Sequence, residues 1–282
     1  MNYIGLIVLF LIMVNVFFTY KGLKNREVFE GLSFSVDSIL LYKEYKRLIT
    51  SGFLHVNWLH LFFNMYALLT FSISLELVID GEQYIFVYFT SLIGGSLFSL
   101  FIYRNHGDYT AVGASGAVCG IIFASIALIP GLSVSMFFLP FHIPGWLFGI
   151  LFVAYSIYGI RSRRDNIGHE AHLGGALIGM TAAILVHPVA LLENYITIAV
   201  IVVPSVLFIY LIITRPYILL VDNLFYKKHP RMHVAHIDHS YNLDKAELQR
   251  QVDTILEKVS KKGMKSLTKK EKDLLYRHSG TL

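Results

Sequence analysis

Three groups of polar residues interrupt long apolar stretches of this 282-residue chain, and their types fit a single chemistry. The first is Gly113-Ala114-Ser115-Gly116. A serine at the start of a helix sits beside unpaired backbone N–H groups and the positive end of the dipole. Such donors suit an oxyanion formed on a carbonyl that the serine attacks. Alone the motif is weak, because Gly, Ala and Ser are also ordinary packing residues between membrane helices. The second group runs from Gly168 through His169, Glu170, Ala171 and His172 to Gly175 and Gly179. Gly175 and Gly179 share a helix face after His172, while Gly116 and Gly120 follow Ser115 in the same way. Two small-residue faces let backbones approach closely. That approach brings a hydroxyl and an imidazole within about 3 Å, the reach needed for proton transfer. The third group is His55, His60 and Asn64, in which His60 and Asn64 lie one helical turn apart and present donors from one face. Each group by itself also reads as polar packing; together they point to acyl transfer by a serine with a histidine base. Glu170 lies two residues from His172, about 200° around a helix, so it faces away from that base.

The elements that must hold these residues are membrane helices. The chain is 55% hydrophobic, 14% aromatic and only 15% charged, with mean hydropathy +0.58. Soluble domains carry roughly 25% charged residues, so this surface is not built for water. Seven apolar segments approach the length of about 20 residues needed to cross a bilayer: 3–19, 58–79, 84–103, 111–129, 143–160, 171–187 and 195–214. The first lacks a basic leader and a small-residue cleavage site, so it reads as a retained helix. The fold class is therefore all-α, a polytopic helical bundle. A long, charged first loop spans residues 20–57.

From Arg215 the composition changes to a basic tail, which holds 14 of the 24 Lys and Arg. Its charge suits anionic lipid better than nucleic acid. Leu248, Val252, Ile255, Leu256 and Val259 repeat at helical spacing, Gly263 is placed to end that helix, and Thr268 to Glu271 reads as a capping box before a second short helix with Leu274 and Leu275. Residues 215–282 thus read as a soluble tail with a short helical hairpin, and residues 1–214 as the membrane domain. The single cysteine, Cys119, rules out an intrachain disulfide and reads as a buried thiol in an apolar run.

The ordered set His55, His60 and Asn64, then Gly113, Ser115 and Gly116, then Ala171, His172 and Gly175 resembles the rhomboid intramembrane protease family. The resemblance covers roughly residues 40–187 and is far more specific than any one motif. It implies a six-helix core with one added C-terminal helix, and a dyad of Ser115 as nucleophile and His172 as base. It also implies an oxyanion hole of His60, Asn64 and the Ser115 N–H, supported by His55. Glu44 and Arg47 would hold the first loop. It implies transmembrane protein substrates in a lipid bilayer and no metal, cofactor or nucleic acid, with the chain expected in a bacterial inner membrane. Two positions depart from the family: an aromatic residue often stands four after the serine, where this chain has Cys119, and a Trp often precedes the first-loop arginine, where it has Lys46. A zinc protease is the main competing enzyme, but His169 and His172 are three apart where the zinc motif needs four. A transporter, or a relative without catalysis, is the other alternative.

Charge gives a topology in conflict with the resemblance. Lys21, Lys24, Arg26, Lys43, Lys46, Arg47, Arg104, Arg161, Arg163, Arg164 and the tail fall on one side of a seven-helix chain. Positive loops mark the cytoplasmic face, whereas well-known bacterial family members place the first loop outside.

Overall fold

The computed structural model describes residues 3–135, 142–162, 165 and 167–214, and in the tail 252, 254–261, 263, 266–268, 270–272 and 274. Seven apolar helices form the membrane unit: α1 (Ile4–Lys24), α2 (Trp58–Leu75), α3 (Gly81–Tyr103), α4 (Ser115–Leu128), α5 (Gly145–Ser162), α6 (His169–Val186) and α7 (Tyr195–Thr214). They fall on the seven expected segments with ends shifted by up to five residues: α1 runs on to Lys24, into the expected first loop, and α2 stops at Leu75 instead of 79. Among the described residues α1, α2, α3, α5 and α6 are long and apolar enough to cross a membrane, and α4 and α7 are apolar as well. Leu6, Phe10, Phe62, Ile73, Leu97, Leu151, Leu185 and Leu207 point outward and are exposed. Water would not tolerate that surface, whereas lipid does.

Local signals set the helix starts. The Asn57 side chain accepts from the His60 N–H and so caps α2, and Asp80 and Gln83 form a reciprocal capping box at α3. The start of α4 differs from expectation: it begins at Ser115 rather than near residue 111. Gly113 has φ +138°, outside the helical region, and Thr110–Ala111 (β2) pairs antiparallel with Phe34–Ser35 (β1) of the first loop. With 14 residues, α4 is about 21 Å long, shorter than the roughly 30 Å hydrocarbon layer. Every residue from Gly116 to Leu128 is buried, so α4 is the centre of the bundle.

Around it, α6 packs most extensively on α4 and α3, while α5 rests mainly on α7 and α6. Between α4 and α5, Ser133–Ser135 (β3) pairs antiparallel with His142–Pro144 (β4). The carbonyls at the end of α4 lack helical partners, which apolar surroundings would penalise. The Asn194 side chain donates to two of them, Ile126 O at 2.8 Å and Ala127 O at 3.1 Å.

The first loop is built on Arg47, 8% exposed. Its Nη1 donates to the carbonyls of Glu30 (2.5 Å) and Ser33 (2.7 Å), and its Nε to Glu44 Oε2 (2.5 Å). The hydrogen bond from Arg47 holds the Glu44 carboxyl below its ordinary pKa. A guanidinium fits this triple fork and an ammonium does not. Arg47→Ala and Arg47→Lys should both lower the unfolding temperature in detergent. The loss for Ala is about 3 kcal/mol, because two carbonyls lose charge-assisted bonds worth roughly 1.5–3 each. Lys46→Ala, at an exposed neighbour, should change it little.

The chain divides into two units, Met1–Asp222 and Asn223–Leu282. In the second, a helix covers residues 254–261, Gly263 has φ +75°, and Val252, Ile255 and Leu267 are buried. The expected capping box is present: the Glu271 N–H donates to Thr268 Oγ1 (3.3 Å) and the Thr268 N–H to Glu271 Oε2 (2.6 Å). Lys258 also donates to Glu271 at 2.7 Å, and these bonds, Lys258 first, bring its pKa down to about 2. Leu256 is exposed, since one residue beyond Ile255 is 100° around the helix. Leu248 and Leu275 lie outside the described residues.

Candidate active site

Ser115 is the first residue of α4 and His172 stands in the first turn of α6. Their side chains meet: His172 Nε2 is 2.7 Å from Ser115 Oγ. Both are part-buried. The approach of the two helices explains the contact. A Cβ added to Gly175 would lie 2.9 Å from the Gly116 Cα and nearer still to its carbonyl, and one on Gly179 would collide with Gly120. The expected pairing of small faces is thus observed residue against residue.

The remaining expected residues gather with different closeness. The His60 ring lies against Gly113: a Cβ there would be 2.9 Å from His60 Cε1, 3.2 Å from Nε2 and 3.6 Å from Ser115 Oγ. Gly113 therefore leaves room for an imidazole directly beside the serine. Asn64 shares the His60 face, and its Nδ2 donates to the His60 carbonyl at 2.9 Å. The amide is thus engaged with its own helix. His55, fully buried, meets His60 edge to face with centroids 4.9 Å apart. The Ala114 N–H donates to His55 Nε2 (3.4 Å), which leaves the ring proton on Nδ1, 3.0 Å from Thr19 Oγ1. Burial, then the charge of His60, pushes the His55 pKa down to about 3. His55 is therefore a neutral strut joining α1 to the residue before the serine. Glu44 and Arg47 lie together in the first loop, as described above.

Among the described residues His172 has two ring neighbours, one on another helix and one on its own. Phe152 of α5 lies beside it, ring centroids 6.3 Å apart and planes inclined 33°, and itself packs on Phe123 and Phe148. An aromatic contact to this imidazole is thus supplied by α5, while Cys119, four residues after the serine, is a buried free thiol. The other neighbour is His169, with centroids 6.2 Å apart; its Nε2 is 3.1 Å from Asp165 Oδ1 and its ring meets Tyr155. No sequence period links α5 to α6, so nothing along the chain marks Phe152 as a neighbour of His172. Glu170 faces away from His172, as the helical angle required, and accepts a hydrogen bond from the Tyr109 hydroxyl. Among the described residues no group of three His, Cys, Asp or Glu side chains gathers to hold a metal.

The Rhomboid domain family matches residues 42–189, and a family of unknown function (DUF6576) matches residues 235–281. The chain is 32% identical over 149 residues to "Rhomboid protein 1, mitochondrial" of Saccharomyces cerevisiae, covering 50% of this chain and 43% of that protein. It is 31% identical over 151 residues to "RHOMBOID-like protein 12, mitochondrial" of Arabidopsis thaliana, covering 48% and 44%. With "Presenilin-associated rhomboid-like protein, mitochondrial" of Rattus norvegicus it shares 31% over 137 residues, covering 47% and 36%. The chain spans less than half the length of these relatives.

Proposed function

The chain belongs to the rhomboid family, and we propose that it is a serine endopeptidase cleaving peptide bonds in or beside transmembrane segments of other membrane proteins. The observation that carries this reading is the 2.7 Å contact between Ser115 Oγ and His172 Nε2 at the starts of two helices in van der Waals contact. His172 Nε2 takes the hydroxyl proton as Oγ bonds to the scissile carbonyl carbon. The negative charge on the carbonyl oxygen falls among the Ser115 N–H at the start of α4, His60 and Asn64. His172 then returns the proton to the leaving amine, the C–N bond breaks, and water attacks the acyl-enzyme by the same route in reverse. Helices that unwind readily are the favoured substrates, because an intact helix engages its carbonyls in hydrogen bonds.

In this reading residues 1–214 form the protease domain and 215–282 a tail with a short helical hairpin. Glu44, Arg47, His55, Gly113 and Gly116 support the site. The chain is a multi-pass membrane protein. Its compared relatives are mitochondrial by name, so the expected bacterial inner membrane finds no support in them.

A fluorophosphonate probe tests the nucleophile directly: the wild-type chain is labelled, and Ser115→Ala is not. Equal labelling of both would end the serine assignment. Asn64→Ala should lower kcat by about tenfold to a hundredfold with KM little changed. That is at or below the usual loss for one oxyanion donor, because in the resting state Nδ2 is bonded to the His60 carbonyl. An unchanged kcat would remove Asn64 from the oxyanion hole.

A further inference from the structure

Ser115 is delivered by a lead-in segment, residues 104–114, that follows the end of α3. Three groups of contacts fix its course. At its near end the Tyr109 ring stacks on Tyr103, centroids 3.7 Å apart and planes 9° from parallel, and meets the Phe34 ring of β1 edge to face at 6.0 Å. At its far end the Gly113 N–H donates to Ser51 O at 3.0 Å and the Ala114 N–H to His55 Nε2. Those contacts tie the segment to α3 and to the first loop. The third reaches the helix of the base: the Tyr109 hydroxyl donates to Glu170 Oε1.

Glu170 is 1% exposed and stands in the first turn of α6, two residues before His172. A carboxylate there is favoured by the N-terminal end of the helix dipole, yet burying it is expensive without strong donors. The Tyr109 hydroxyl is such a donor, oriented by a stacked ring. Burial, then the nearby charge of Glu170, holds the Tyr109 pKa well above its ordinary value, so the phenol keeps its proton and the donor role is permanent. The bond thus joins the strand leading to the nucleophile with the turn carrying the base, on the side of α6 opposite the imidazole.

We propose that Tyr109 and Glu170 are a positioning pair that sets the distance between Ser115 Oγ and His172 Nε2 by clasping the lead-in of α4 to the start of α6. The proposal rests on the reading of Ser115 and His172 as a catalytic dyad. Neither side chain touches the reacting atoms. The pair acts by fixing where α6 begins relative to residue 115, so it governs the chemical step and leaves substrate binding alone.

The test uses the full-length chain in detergent micelles, with a single-span model substrate and a fluorophosphonate. Tyr109→Phe keeps the ring stack and removes only the hydroxyl. It should lower kcat and the labelling rate by about tenfold, less than the roughly 10²-fold typical of a full 1 Å misplacement, with KM within about twofold of wild type. Glu170→Ala should fall similarly, whereas Glu170→Gln, whose amide oxygen still accepts the phenol, should stay near wild type. Because the two residues act through one bond, Tyr109→Phe in the Glu170→Ala background should add no further loss. The unfolding temperature of Glu170→Gln should match wild type, whereas Tyr109→Phe leaves the buried carboxylate short of a donor and should lower it. Tyr109→Phe at full rate, a loss that falls on KM instead of kcat, losses that multiply in the double variant, or Glu170→Gln as slow as Glu170→Ala would each overturn the clasp. A wild-type chain that neither cleaves nor labels overturns the dyad, and the clasp with it; a working wild type that needs Ser115 and ignores Tyr109 overturns the clasp alone.

Discussion

Ser115→Ala and His172→Ala should each stop cleavage of a model transmembrane substrate while leaving the bundle folded. In a two-residue engine the members act as a unit, and removing either has cost about 10⁶-fold in kcat in a well-studied serine protease. The same order is expected here, since Nε2 at 2.7 Å is the base placed to accept the Ser115 proton. Folding should survive: both side chains are part-buried at helix starts, and neither substitution opens a hole in the interior of α4. Metal chelators should leave the wild-type rate unchanged. Cleavage kinetics of the purified variants, beside their unfolding temperatures, provide the check. Substantial activity in Ser115→Ala, or inhibition by chelators alone, would refute the serine mechanism.

Gly175→Val should have the second-largest effect, more than about 10²-fold in kcat. Displacing catalytic contacts by about 1 Å suffices for that. A Cβ at Gly175 meets the backbone of Gly116, with its Cα at 2.9 Å, and backbone cannot rotate out of the way as a side chain can. α6 must therefore move away from α4 one turn from the dyad, lengthening the Oγ to Nε2 contact. Leu185→Val, at an exposed position of the same helix, controls for a general effect of altering α6. Matched rates of Gly175→Val and wild type would show that this helix contact does not set the dyad distance.

Much of this architecture was visible in the chain before any coordinates. Apolar segments separated by short polar connections foretold the seven helices, because a bilayer forces every backbone group in a span to be satisfied within its own helix. The paired glycines foretold the close contact of α4 with α6, because only missing side chains permit such approach. Spacing around a helix was also enough to turn Glu170 away from His172. The apolar run begins four residues before α4 does. Hydropathy scores Ala111 and Val112 as membrane-like, while a positive φ at Gly113 and the pairing of β2 with β1 depend on what the first loop offers in space.

The sequence by itself determined the elements and the chemical types: which stretches span, which faces are small, and which serine and histidines break an apolar pattern. Those are local properties, written in periods of a few residues. Tertiary structure alone decided the partners. It set Phe152 of α5 beside His172, tied His55 to Thr19 of α1, turned Asn64 onto the His60 carbonyl and joined Tyr109 to Glu170 across 61 positions of chain. Such pairings arise when separately stable helices dock, and docking selects among faces by shape and hydrogen-bond satisfaction rather than by any repeat along one helix.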